Sequence, residues 1–156
     1  MFETVISGVL VFVIGEAILK FVVEPVNALK KTIAAVAHAR IQHGPDIHNP
    51  DVVSPERRQQ AFALLRSISA QIYSDVRLIP CYGFTRILFG LPNRDQIHKA
   101  AKDLTSAANW LDSKNEKKHE YIYLYMQRAS DALGLYIAPE DRLDDALLRT
   151  IINDRG

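Results

Sequence analysis

From residue 4 to residue 26 the chain reads TVISGVLVFVIGEAILKFVVEPV, apolar throughout except at Glu16, Lys20 and Glu24 and at the small Ser7 and two glycines. A bilayer core is spanned by about 20 apolar helical residues, and residues 4–23 supply that length. Beyond Pro25 the pattern changes character. Val26, Leu29, Ile33, Val36 and Ala37 recur at the three-to-four spacing of a helix with one buried face. Together these predict one long helix over residues 2–41, with Pro25 as a kink point where it leaves the membrane.

The remaining pattern is helical wherever it is regular. GPDIHNPD at residues 44–51 breaks it, with two prolines and a glycine, and predicts an irregular loop. A second helix should open at Ser54 as cap, with Pro55 in its first turn. Its stripe is Phe62, Leu65, Ser69, Ile72, Val76 and Ile79, widened by Leu64 and Ile68, and it stops before Pro80. Residues 81–91 (CYGFTRILFGL) predict a short helix over 84–89. Two readings fit it: a connector buried on the bundle, or a segment against the membrane surface, since Tyr82, Phe84, Arg86 and Phe89 mix aromatic and basic character.

Asn93 and Gln96 form a capping-box pattern for a third helix, whose core stripe is Ile97, Ala101, Leu104, Ala108 and Leu111. Ser113 and Glu116 repeat that pattern before a fourth, with Ile122, Met126, Ala129 and Leu133 inward, Tyr121, Tyr123 and Tyr125 around it, and Gly134 as C-cap. A fifth helix is expected from Pro139, burying Leu143, Leu147 and Ile151. No segment reads as a strand. The expectation is an all-α protein: a transmembrane helix at residues 1–26 continuing into a cytosolic helical bundle at 27–156.

Charge orients this architecture. Lys20, Lys30, Lys31 and Arg40 all follow the apolar run, and no Lys or Arg precedes it. The positive-inside rule then puts the N-terminus outside and the bundle in the cytoplasm. The missing basic n-region, and an Ala37-His38-Ala39 triplet too far from the apolar run to serve as a cleavage site, argue that the segment stays attached and is no signal peptide. A net charge of +1 over 156 residues argues against a strong general affinity for nucleic acid. Cys81 is the single cysteine, which rules out an internal disulfide and suits a reducing compartment.

Within the apolar run the exceptions are the candidate functional positions. Glu16 and Lys20 are four apart and can pair on one helix face, and Glu24 extends the stripe. A charge at mid-membrane costs about 2.5–3.5 kcal/mol and faces a partner or a water-filled cavity. The stripe therefore reads either as a self-paired, snorkelling set at the interface or as a face turned towards other copies along a pore. Gly8 and Gly15, seven apart, allow close approach of a neighbouring helix.

Elsewhere the sequence offers little chemistry. Nucleotide-binding, nucleophile-elbow and zincin motifs are missing, which argues against an enzyme of a motif-rich family. His38, His43 and His48, with Asp46 and Asp51, have no common zinc spacing; no metal or cofactor is expected. Arg57, Arg58, Arg66 and Arg77 do not share a face and read as solvated surface, and Trp110 reads as core or interface.

Lys114-Asn115-Glu116-Lys117-Lys118-His119, at the start of a late helix, resembles the Arg-x(4–6)-His motif of HEPN ribonucleases, with Lys114 standing where that family has Arg. The resemblance implies a composite RNA-cleaving site with Lys114 and His119 contributed by paired protomers. Lysine lacks the bidentate fork that holds a phosphate. The VFVIGEAILKFVVEPVNALKKTIAAVAHAR segment, through Gly15, Lys20, Glu24-Pro25 and Lys30-Lys31, resembles a group of small bacterial proteins with one N-terminal membrane helix. The architecture is also similar to the membrane accessory proteins of type VI-B CRISPR systems, which carry a divergent HEPN-like domain. That likeness implies a homo-oligomeric, non-enzymatic pore acting in antiviral defence, with the lipid bilayer and a soluble defence protein as partners. The alternatives are a membrane-tethered HEPN-like ribonuclease acting on RNA, and a passive anchor or adaptor for a soluble partner.

Overall fold

The computed structural model describes residues 2–144, with side chains from residue 6 onward. Among these residues every regular element is helical. The N-terminal helix runs without a break from α1 (Phe2–Ile18) through a π turn (Leu19–Val23) into α2 (Glu24–Gln42). Pro25 accounts for the π turn. It has no N–H to donate, and its ring clashes with the carbonyl four residues back. The chain widens before it, so the Glu24 N–H bonds to the Leu19 carbonyl in an i→i+5 pattern. The helix thus absorbs the proline and carries on.

The bundle begins where burial begins. Every position from Ile6 to Phe21 is exposed, whereas Val26, Leu29 and Val36 are fully buried. The chain turns at α3 (Gly44–His48) and returns along α4 (Pro55–Leu78). It passes α5 (Tyr82–Phe89), climbs α6 (Arg94–Leu111) and returns along α7 (Lys118–Ala132). Contacts fix the directions. Thr32 on α2 meets Asp75 late on α4, while Asp46 on α3 meets Arg57 early on α4. Ser69 bonds to the Ala101 carbonyl and Tyr73 to that of His98, so α6 is antiparallel to α4. His119 at the start of α7 reaches the His48 carbonyl at the end of α3. The four long helices α2, α4, α6 and α7 therefore alternate in direction around one core of Leu29, Leu65, Ile72, Ile97, Leu104, Ile122 and Met126.

Local chemistry sets most boundaries as the sequence implies. Ser54 Oγ accepts the Arg57 N–H at the start of α4, and the Pro80 ring prevents its continuation past Ile79. Asn93 and Gln96 make the expected capping box on α6. Gly134, at φ +70°, closes α7 with Leu135 N–H on the Ser130 carbonyl at 2.9 Å.

Three expectations are corrected. Residues 44–48 are not loop but a five-residue helix, started by Pro45 and anchored by fully buried Ile47. Ser113 and Glu116 do not cap α7. Ser113 Oγ accepts the Asn115 N–H and Asn115 Oδ1 the Lys117 N–H, two tight side-chain turns that delay the helix to Lys118. From Pro139 only a 3-10 turn forms (Pro139–Asp141), and residues 142–144 are not helical; Leu143 is half-buried, and Leu147 and Ile151 lie outside the described residues. Arg57 is exposed and Arg58 partly so, and both are paired: Arg57 with Asp46 at 2.7 Å, and Arg58 with Asp112 at 3.2 Å.

The α2–α4 interface holds one buried polar device. Asp75, 2% exposed, accepts from Thr32 Oγ1 at 2.6 Å and from Gln71 Nε2 at 2.7 Å. Thr32→Val keeps the shape and removes one donor to a carboxylate. The expected loss is about 1.5 kcal/mol, read as a lower melting temperature in detergent, with Thr32→Ser retaining most of the stability. Equal stability of the Val variant would mean the hydroxyl contributes nothing.

Candidate functional site

The N-terminal helix is the outstanding chemical feature. One continuous helix over Ile6–Gln42 is long and apolar enough to cross a membrane, and none of its apolar window is buried by the rest of the protein. Val11 and Phe12 are 69% and 70% exposed. Residues 2–23 extend about 33 Å at helical rise, matching a hydrocarbon core of about 30 Å. A contiguous apolar surface of this size has the character of a membrane or protein contact.

The charged positions sit in its last third. Counted back from Val23, Glu16 lies about 10 Å inside the apolar zone and Lys20 about one turn inside. Both are exposed, as is Glu24, and no ion pair joins Glu16 to Lys20 among the described residues. The π turn begins between them, at Leu19, and widens the i,i+4 register on which such a pair depends. Gly8 and Gly15 are open: a Cβ at either would meet nothing within 4 Å. The helix therefore offers an uncovered small-residue edge and an uncovered charged stripe.

The opposite end of the bundle carries a polar cluster. His119 places both ring nitrogens against oxygen acceptors. Nδ1 lies 2.7 Å from the His48 carbonyl, to which it donates, and Nε2 lies 3.0 Å from Asp51 Oδ2. Lys118 Nζ donates to the other Asp51 oxygen. The hydrogen bond from Lys118, before that from His119, holds the Asp51 carboxyl below its usual range. His48 itself stacks on Tyr123 with ring centroids 3.7 Å apart. Burial, aided by the nearby Arg40 guanidinium and opposed by Asp141, lowers its pKa from 6.5 to about 4.

This cluster joins α3 and the following turn to α7. With both nitrogens engaged inside the chain, His119 has no free ring nitrogen to offer an RNA hydroxyl in this arrangement. Lys114 is exposed and lines a shallow hollow with Asp51 and Lys118. His43 pairs with Asp46 at 3.5 Å and His38 is exposed. Among the described residues no group of His, Cys, Asp or Glu is arranged to hold a metal ion. Asp51, Lys118 and His48 were not singled out together by sequence reasoning. Their partners lie 67 to 71 residues away, and no local spacing signals such pairs.

Compared with known proteins, the chain matches no family model, no curated protein and no solved structure.

Proposed function

We propose that this chain is a single-span bacterial inner-membrane protein, without catalytic activity of its own, that self-associates through its membrane helix and carries a cytoplasmic helical bundle on a rigid extension of that span. The carrying observation is the unburied apolar helix running through its π turn into the bundle with no flexible linker. Orientation is supported by the basic residues gathered just past the span, where Lys30 and Lys31 are exposed on α2. Self-association is supported by Glu16 and Lys20. Glu16, unpaired inside one chain and about 10 Å inside the apolar zone, costs up to about 2.5–3.5 kcal/mol unless a second chain or a water-filled space receives it. Lys20, one turn from the interface, is placed to pair with the Glu16 of a neighbouring chain. A ring of such helices with this stripe inward would be a pore, the role implied by the likeness to CRISPR-associated membrane proteins.

The test is the protein mass of the detergent-solubilised chain by light scattering, wild type against a Glu16→Leu, Lys20→Leu double variant. Expected are a defined oligomer for the wild type and a shift to monomer for the variant, with insertion retained in both. A monomeric wild type, or an unchanged oligomer in the variant, would refute association along this stripe. Ion conductance of the reconstituted wild type, lost in the double variant, would establish the pore.

A further inference from the structure

The apolar surface of α5 is unaccounted for by the bundle. Its inner face is well satisfied. Tyr82 and Thr85 are buried, the Tyr82 hydroxyl donates to the Pro92 carbonyl at 2.8 Å, and Thr85 Oγ1 donates to the Pro80 carbonyl at 2.9 Å. Gly90, at φ +65°, stops the helix, with Leu91 N–H on the Arg86 carbonyl. The outer face is Phe84, Ile87 and Leu88, at 72%, 76% and 66% exposed, and Leu78 at the end of α4 is exposed too. A soluble surface does not gather such side chains without a covering partner.

Position identifies the partner. Thr32 and Asp75 are level across the antiparallel α2–α4 pair. Three residues further along, Leu78 ends α4 level with about residue 29 of α2, within a turn of where burial begins at Val26 and the exposed span ends, and α5 starts four residues later. Because α6 is antiparallel to α4, its first residue Arg94 lies at this same end, its guanidinium 5.1 Å from the Tyr82 ring centroid. Arg86 and Arg94 line one shallow hollow beside Phe84. An apolar helix face edged by guanidinium groups, on the end of the bundle from which a membrane helix emerges, has the composition of an interfacial segment. Arg side chains there are placed for anionic headgroups.

We propose that α5 is a second membrane contact: Phe84, Ile87 and Leu88 enter the headgroup–acyl boundary of the leaflet the span emerges from, and Arg86 and Arg94 bind anionic lipid headgroups. The proposal rests on the membrane reading above. It adds a function to that reading, since two contacts fix the tilt of the bundle where one helix alone allows it to swing.

The test uses the full chain in phosphatidylethanolamine–phosphatidylglycerol vesicles. A Cys81→Ser background carries one environment-sensitive fluorophore through Phe12→Cys, Ile87→Cys or Val52→Cys. Val52, 86% exposed, follows α3 at the opposite end of the bundle. Nitroxide-bearing lipids are expected to quench positions 12 and 87 several-fold more than position 52. Adding Phe84→Glu and Leu88→Glu should abolish quenching at 87 and leave it intact at 12. Quenching at 12 with none at 87 overturns the docking alone, and no quenching at either overturns the membrane reading with it. Position 87 shielded from aqueous iodide yet not quenched by nitroxide lipids means protein covers the face, which also refutes the proposal. In purely phosphatidylcholine vesicles quenching at 87 should fall; if it persists unchanged, the role given to Arg86 and Arg94 is wrong.

Discussion

Ile47→Ala is expected to destabilise the bundle by about 3 kcal/mol, a fall of about 9 °C in melting temperature for a protein of this size. The magnitude follows from where the side chain sits. Ile47 is fully buried in a helix of only five residues, far too short to hold its own conformation in water. Tertiary contacts must supply all of its order. Ile47 is the apolar one. The polar ones are the Arg57–Asp46 pair and the hydrogen bond from His119 to the His48 carbonyl. Truncation leaves a cavity and loosens the two polar ties together, so the amides of residues 44–48 should also exchange faster than those of α4. Thermal melts in mild detergent with hydrogen exchange check both. A loss under about 1 kcal/mol would show that α3 does not pack as described.

That helix also shows what sequence patterning can and cannot convey. Boundaries fixed by chemistry within one turn were legible: Ser54 and Pro55 for α4, Asn93 and Gln96 for α6, Gly134 for the end of α7. Boundaries fixed by distant partners were not. GPDIHNPD has one strongly apolar residue, so no periodicity could reveal that Ile47 enters a core built by other helices. Ser113 and Glu116 have the spacing of a capping box, yet the hydroxyl is taken by the Asn115 N–H and the helix starts where Lys118 can reach Asp51. The apolar face of α5 was visible as composition, but which side of it is covered depends on Pro80, Pro92 and the packing of Tyr82. The candidate site divides in the same way. The long apolar N-terminal helix is a property of consecutive residues and could be read directly. The Asp51–Lys118–His119–His48 cluster joins segments about 70 residues apart and exists only once the bundle has closed.

Between pH 7.5 and pH 5 the protein is expected to lose about 2 kcal/mol of stability through His48 alone. In the unfolded chain this imidazole takes up a proton near pH 6.5, whereas in the folded one burial first, and the Arg40 guanidinium second, delay protonation to about pH 4 against the pull of Asp141. In the interval the unfolded state binds more protons, so stability rises with pH across it. The contribution is fully present above pH 6.5 and is lost progressively down to pH 4. Asp51 does not interfere: the stability from its lowered carboxyl, held chiefly by the Lys118 hydrogen bond, is lost only as pH falls past the ordinary value of 3.8, below this interval. The control is His48→Phe, which keeps an aromatic ring stacked on Tyr123 and cannot titrate. The melting temperature of the wild type should fall by about 6 °C more than that of the variant over this range. The two curves should converge on their dependence above pH 7. Parallel slopes throughout would place the His48 ring in water, and with it would fall the account of α3 as a segment pressed against α7 by both its core residue and its last side chain.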